Sequence, residues 1–277
     1  MRTWKFALGY MPHRLWGNII QAQILRKEGD NEFLTPQEFV QNDPSTEAYG
    51  KLTPMQKEVV SLIDSYSERE LFRLFSKKPT VKVFLDTVDK QVIRDHIRPY
   101  IEKKLFRILE IARDNRLEIF VKEKGIRNIF PEDFLRIKHS PARAVFSFSY
   151  GEGLSYSLRV YQDGEPLDLL DTHVEIVSNS PAVIISRNRL CFVKDIEARK
   201  LTPFFNRSHI SIPSEMEKKY FSSFVKNTLQ EYEVETRGFK VDHIKPEKYA
   251  ELVLELGLNQ RPVFILSLFY NGRKVFR

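Results

Sequence analysis

The chain has 277 residues, enough for about two domains of ordinary size. Hydrophobic residues make up 42% and aromatics 12%, including 21 Phe and 11 Tyr, which excludes a disordered chain and allows a sizeable core. The single cysteine excludes a disulfide framework and a cysteine zinc site, and the formal charge of +7 favours polyanions over cationic ligands.

The N-terminal segment alternates apolar and polar residues. Thr3 to Met11 and Leu15 to Leu25 read as two strands joined at Pro12-His13-Arg14, with a polar turn at Lys27 to Asn31. The apolar stretch beginning at Phe6 is short and broken by His13 and Arg14, so it is not a signal peptide, and no run approaches the length of a membrane helix. A soluble, cytoplasmic protein is expected.

From Thr35 the period changes. Thr35-Pro36-Gln37-Glu38 predicts a helix start, with a capping threonine, proline at the first helical position and an acid behind it. Thr53-Pro54 predicts another, followed by Val59, Leu62 and Ile63 at helical spacing. Ser67-Glu68-Arg69-Glu70 is a capping-box pattern leading into Leu71, Leu74 and Phe75. The longest stripe is Ile93, Ile97, Ile101, Leu105, Ile108 and Ala112, in which Pro99 either starts a helix or kinks one. Arg116 to Lys122 alternates like a strand.

After Pro141 the pattern is mainly of period two. Ala144 to Tyr150 and Leu154 to Tyr161 form a hairpin around Gly151-Glu152-Gly153, and Val174–Val177, Ala182–Ser186 and Leu190–Val193 are short strands. Ser214 is expected to cap an amphipathic helix bearing Met216, Tyr220, Phe221, Phe224, Val225 and Leu229. Tyr249–Leu256 and Val263–Tyr270 close the chain as strands, and Asn271-Gly272 signals a type I′ hairpin turn. A weak echo links Arg143, Val145, Phe146, Ser149, Tyr150 and Gly151 to Arg261, Val263, Phe264, Ser267, Tyr270 and Gly272; two hairpins built by the same rules produce it without duplication. The predicted class is α+β: an N-terminal β-hairpin, a helical block, then a mostly antiparallel β region with one prominent amphipathic helix. Two domains are expected, 1–140 and 141–277.

Catalytic and metal motifs are sparse. There is no G-x-x-x-x-G-K-[ST] loop and no G-x-S-x-G elbow, and Gly151-Glu152-Gly153 lacks the third glycine of a dinucleotide fingerprint. The six histidines have no ligand at metal-site spacing, and Asp89 of Asp86-Thr87-Val88-Asp89 reads as a helix cap rather than half of an acid dyad. No catalytic, cofactor-binding or metal-binding residue is assigned. Charge is concentrated between Lys90 and Lys138, where 13 Lys and Arg face 8 Asp and Glu, a surplus of +5. Arg94, Arg98, Lys103, Lys104 and Arg107 are the candidate nucleic-acid contacts. They do not form one narrow stripe, and the reading as a solvated face paired with acids three or four residues away stays open beside it.

Four stretches together carry a family resemblance: LIDSYSERELFRLFSKKPTVKVFLDTV, HIRPYIEKKLFRILEIARD, NRLCFVKDIEARKLTPFFNRSHISIPSEMEKKYFSSFVKNTL and RPVFILSLFYNGRKVF. They resemble the N-terminal accessory region that precedes the motor in bacterial Swi/Snf-type DNA-dependent ATPases of helicase superfamily two. The resemblance runs from about Trp4 onward and is most specific over Asn188–Leu229. It implies a non-catalytic accessory fragment that packs on or regulates the motor and contacts DNA or a protein such as RNA polymerase. ATP and Mg²⁺ would then belong to a motor domain C-terminal to this chain, whose own partner is that motor; the localisation implied is cytoplasmic, with a nucleoid association. On this reading the strand opened at Lys274 is completed by residues beyond Arg277 or pairs with a neighbouring molecule. The alternative is a free-standing basic nucleic-acid-binding protein.

Overall fold

The computed structural model describes residues 3–27, 29, 32–122, 128–151, 153–170, 174–225, 228, 232–239, 248–256, 261–270 and 273–276. The chain is α+β and divides into two compact units, Met1–Arg237 and Gly238–Arg277.

The first unit opens with β1 (Thr3–His13) and β2 (Gly17–Lys27), paired antiparallel from Thr3↔Lys27 to His13↔Gly17. Pro12 and His13 therefore belong to the strand, and the turn falls two residues later than predicted, at Arg14 to Trp16. Gly17, at φ +75°, supplies the left-handed conformation needed to re-enter β2. The helix expected at Thr35-Pro36 is instead β3 (Thr35–Phe39), an edge strand on β2. Its residues lack an apolar stripe that a helix could bury, whereas β2 offers a free edge. Proline is tolerated there because an edge strand beside a bulge has a ladder position that needs no N–H. The sheet order is β3-β2-β1-β4, with β4 (Ile119–Val121) parallel to β1.

The helices between β3 and β4 follow their caps. They are α1 (Glu47–Gly50), α2 (Pro54–Asp64), α3 (Glu68–Phe75), α4 (Val81–Thr87) and α5 (Lys90–Val92). Thr53 and Gln56 form a full capping box at α2, and the Ser67, Thr80 and Asp89 side chains each accept a first-turn N–H. A π turn over Ile93–Ile97 runs without a break into α6 (Arg98–Asn115), and Pro99, which has no N–H to donate, stands where the π turn gives way to the α-helix. Arg116, in the left-handed conformation at φ 56°, ends it.

The second sheet contains β5 (Arg136–Ile137), β6 (Ala142–Tyr150), β7 (Leu154–Gln162), β8 (Glu165–Leu167), β9 (Glu175–Ser178), β10 (Ala182–Ser186), β11 (Arg189–Lys194), β12 (Ile210–Ser211) and β13 (Glu233–Arg237). Its main path is β12-β7-β6-β11-β10-β9. Most pairings are antiparallel, but β5 and β6 lie parallel to β11 and β13 lies parallel to β6. Helix α7 (Ser214–Tyr220) runs on into a π turn over Phe221–Val225. Ser214 is the first helical residue and makes no cap bond; Pro213 occupies the cap position. Phe224 packs on Phe146, Phe148 and Tyr156 and so covers the β6–β7 hairpin. Leu229 lies outside the described residues.

The change of pattern at Ser140-Pro141 does not separate two compact units. One apolar core takes in Leu8, Ile20, Val59, Ile101, Leu105 and Ile108 together with Val177, Val183, Leu190 and Phe192. The period changes there because the chain passes from helices to the second sheet, yet α6 must bury its stripe against both sheets. Arg98 ties the same three elements. Its Nη1 donates to the carbonyls of Trp16 and Asn18 at 2.8 Å each, its Nη2 to Val177 O at 3.2 Å, and its Nε pairs with Glu102 Oε1 at 3.1 Å. The other Glu102 oxygen accepts the Asn179 N–H at 2.9 Å. Beside it, Tyr10 Oη and Asn18 Nδ2 each donate to Glu175 Oε1 at 2.5 Å. Burial, then the Glu175 charge, raises the Tyr10 hydroxyl above its ordinary range and keeps it a donor.

The second unit is a three-stranded sheet of β14 (Lys248–Leu256), β15 (Pro262–Tyr270) and β16 (Arg273–Phe276), in that order and antiparallel throughout. The last strand is thus paired within the chain, on Leu268 to Tyr270. The Asn271-Gly272 turn lies outside the described residues.

Arg98→Ala is expected to lower stability by about 3 kcal/mol, because it strands the Glu102 charge and three inward carbonyls; the urea-unfolding midpoint reads this out. Because the core is shared, residues 1–140 expressed alone should show no cooperative unfolding transition by circular dichroism.

Candidate functional site

The five candidate nucleic-acid contacts are not equivalent in space. Arg94 is exposed and pairs with its neighbour Asp95 at 2.8 Å. Arg98 is turned inward onto the backbone carbonyls described above and takes no part in the surface. Lys103 is exposed, Lys104 Nζ stands 5.4 Å from the centre of the Tyr100 ring, and Arg107 lies within 3.6 Å of both Glu58 and Glu110. The helix therefore presents cations that are largely answered by local partners.

A denser arrangement lies where β5 meets β11. The parallel register sets Arg189 directly beside Arg136 and Leu190 beside Ile137. Leu190 is buried in the core, so alternation turns both arginines outward. The link from β10 to β11 is the two-residue turn Arg187-Asn188, with φ of 46° and 57°. Positive φ at both positions is the type I′ requirement; asparagine accepts it readily and arginine does not. The turn is held by Asn188, whose Nδ2 donates to Glu132 O at 2.5 Å and whose carbonyl accepts the Arg136 N–H at 2.8 Å.

These arginines and Lys138 line a concavity of about 410 Å³, walled opposite by Glu165 to Asp168. A second concavity of about 220 Å³, edged by Pro131, Glu132 and Phe134, shares Arg136, Arg187 and Arg189. Arg187 pairs with Asp168 at 3.0 Å and Lys138 with Asp163 at 2.5 Å. The guanidinium groups of Arg136 and Arg189 have no partner among the described residues. Like charges directly opposite on neighbouring strands repel. An anion between them would relieve that repulsion, and two guanidinium forks match the oxygens of a phosphate. The nearest thiol, Cys191, is buried, which pushes its pKa up to about 11 and keeps it a protonated thiol that donates to Gln162 Oε1 at 3.4 Å. The chemistry available is anion binding.

A third concavity, of about 570 Å³, has the opposite character. Trp16 and Tyr66 line it, Phe39 stands exposed at 54%, and Asp43, Asp64 and Glu68 are the charged acids in the lining, which holds no lysine or arginine. His13 stacks on Trp16 with ring centres 5.6 Å apart. Its Nδ1 accepts the Leu15 and Trp16 N–H groups at 3.2 and 3.3 Å, which places the proton of the neutral ring on Nε2, 3.5 Å from Glu68 Oε1. Burial lowers the His13 pKa more than Glu68 raises it. Phosphate has no place in this groove.

No protein-family model, curated protein or solved structure matches this chain. Among the described residues no group of three or more His, Cys, Asp and Glu is placed to hold a metal ion, and no helix is long and apolar enough to cross a membrane. Arg136 and Lys138 close the basic segment Lys90–Lys138, and Arg187, Asn188 and Arg189 fall between the two short strands Ala182–Ser186 and Leu190–Val193, some fifty residues further on. The run of two arginines around an asparagine at a hairpin turn was the available signal; the β5–β11 register across some fifty residues was not visible.

His13 makes stability depend on pH. Its folded pKa lies below the unfolded value of 6.5, so the folded state binds fewer protons and stability falls as pH drops through 6.5 toward the folded pKa. Above pH 7.5 the term is absent. His13→Asn keeps an acceptor near the Nδ1 position and should flatten the pH 5 to 7 segment of the thermal-midpoint profile.

Proposed function

We propose that this chain is a non-catalytic accessory region of a Swi/Snf-type DNA-dependent ATPase and that it holds a duplex phosphate backbone in the concavity between Arg136 and Arg189. The observation that carries the DNA contact is the pair of guanidinium groups of Arg136 and Arg189, set side by side by strand register and without a partner among the described residues, with Arg187 and Lys138 around them. Two cationic side chains on directly opposite strand positions repel, and an anion held between them would relieve that repulsion. The overall charge of +7 draws a polyanion toward the same surface. The motor assignment, and RNA polymerase as a further partner, rest on the sequence resemblance.

The proposed contact is to phosphate, which carries no base specificity. The free-standing nucleic-acid-binding protein is the second reading; it shares the site and differs in the reading frame. Continuation past Arg277 into a G-x-x-x-x-G-K-[ST] motif would separate the accessory region from it.

Fluorescence anisotropy with a labelled duplex tests the site. Arg136→Gln and Arg189→Gln should each weaken binding by about tenfold, and the double variant should reduce the slope of log affinity against log salt by about 1.8. Arg94→Gln with Lys103→Gln should leave binding within about twofold of wild type. No duplex binding at low salt, or loss from the helix variants and not from the concavity, overturns the assignment.

A further inference from the structure

The sheet of the second unit has one face made almost wholly of carbon. In the β14–β15 register, Leu252 faces Leu266, Leu254 faces Phe264, Leu256 faces Pro262 and Ala250 faces Leu268. Alternation puts all eight on one side. The six large ones, Leu252, Leu254, Leu256, Phe264, Leu266 and Leu268, are between 39 and 77% exposed. On the other side Glu251, Glu255 and Ser267 interrupt the apolar positions. A contiguous bare apolar face of this kind marks a contact surface.

The first unit shows how this protein treats such a hairpin. Phe146 and Phe148 of β6, whose sequence β15 echoes, lie under Phe224 of the helix that follows. Phe264, the counterpart of Phe146, is 68% exposed.

We infer that the face is covered by the same face of a second copy of this chain, the two sheets packing as a sandwich about a two-fold axis. Three features select this occupant. The face carries charge only at one end, where Lys248 and Arg273 flank Tyr270, so a charged partner lying along the rest of it would leave its charges unpaired. A two-fold contact requires a surface complementary to itself, and a flat, uniformly apolar sheet face meets that requirement. The area also suffices: six side chains at roughly 100 Å² each bring about 600 Å² per copy, or about 1,200 Å² for the pair, the lower limit of a specific interface. An interface at that limit is in exchange, so the dimer should dissociate on dilution. The inference does not depend on the DNA-binding reading.

Sedimentation velocity over a concentration series of the whole chain is the test. Wild type should pass from monomer to dimer as concentration rises, and Leu254→Glu with Phe264→Glu should stay monomeric at every concentration with the wild-type circular dichroism spectrum. A wild type that stays monomeric, one that forms a continuum of larger species, or a dimer that survives the double substitution overturns the inference. A second measurement covers the case in which the double variant does not fold. Cys191 is buried, so a nitroxide attached to Leu252→Cys occupies a single site per chain. In a sample sedimenting as dimer, the labels should show dipolar coupling between copies. Uncoupled labels in that sample place the interface elsewhere.

Discussion

The guanidinium of Arg98 is the contact on which the first unit depends. It sits at the start of a helix whose next turns are wholly apolar on one side, and it is mostly withdrawn from water. A charge in that position is stable only if every donor finds an acceptor. Arg98 finds them in three backbone carbonyls and a carboxylate, drawn from the first hairpin, its own helix and the short strand β9 at the end of the second sheet. The donors therefore fix geometry as well as charge: the turn after β1, α6 and β9 have one mutual arrangement in which all are satisfied. Gly17 sits close beside it, and an added Cβ there would stand 3.6 Å from the Arg98 Nη1.

Around that polar link the burial is conventional. Tyr66, buried beneath α2 and β2, sends its hydroxyl to Ile20 O at 2.6 Å, and burial raises it above its ordinary range. The apolar stripe of α6 then packs toward both sheets, so the main core draws on the hairpin, the helices and the second sheet, beside a smaller cluster of Ala7, Leu25, Phe120 and Ile129. The second unit differs in kind. Its strands have the register of a well-paired antiparallel sheet, and among its described residues the large apolar side chains of one face stay exposed.

Surface charge is also arranged by the fold and not by local sequence. The helix that carries the longest basic run is answered by Glu58, Asp95, Glu102 and Glu110. The less conspicuous guanidinium groups of Arg136 and Arg189, where β5 meets β11, have no partner among the described residues. Arg187 holds a backbone conformation that its Cβ disfavours, and such strain persists only where neighbouring contacts over-determine it. Here the Asn188 bonds to Glu132 and Arg136 do so. The acidic aromatic groove on the first sheet keeps cations out of its lining, so the two kinds of concavity cannot share a ligand.

Local chemistry was legible in the sequence wherever the determining partners are close in the chain. The caps at Thr53 and Ser67, the stripe from Ile97 to Ala112, the strands of the second sheet and the α+β class follow from hydrogen bonds and periodicities within a few residues. Thr35-Pro36 misled for the same reason: its cap signal is local, but β2 offered an edge from outside the window, and edge pairing prevailed. Ser140-Pro141 marks a true change of period, yet a shared core is a property of packing across the chain. The inward turn of Arg98 could not be read from a basic segment, because its acceptors lie 79 to 82 residues away. The meeting of Arg136 with Arg189 is likewise a matter of register. Sequence alone determined the α+β class, the capped helices and the longer strands, and that the chain would be basic. Tertiary structure decided which cations remain free to act, because a charge is spent or spared by the partners that folding brings to it.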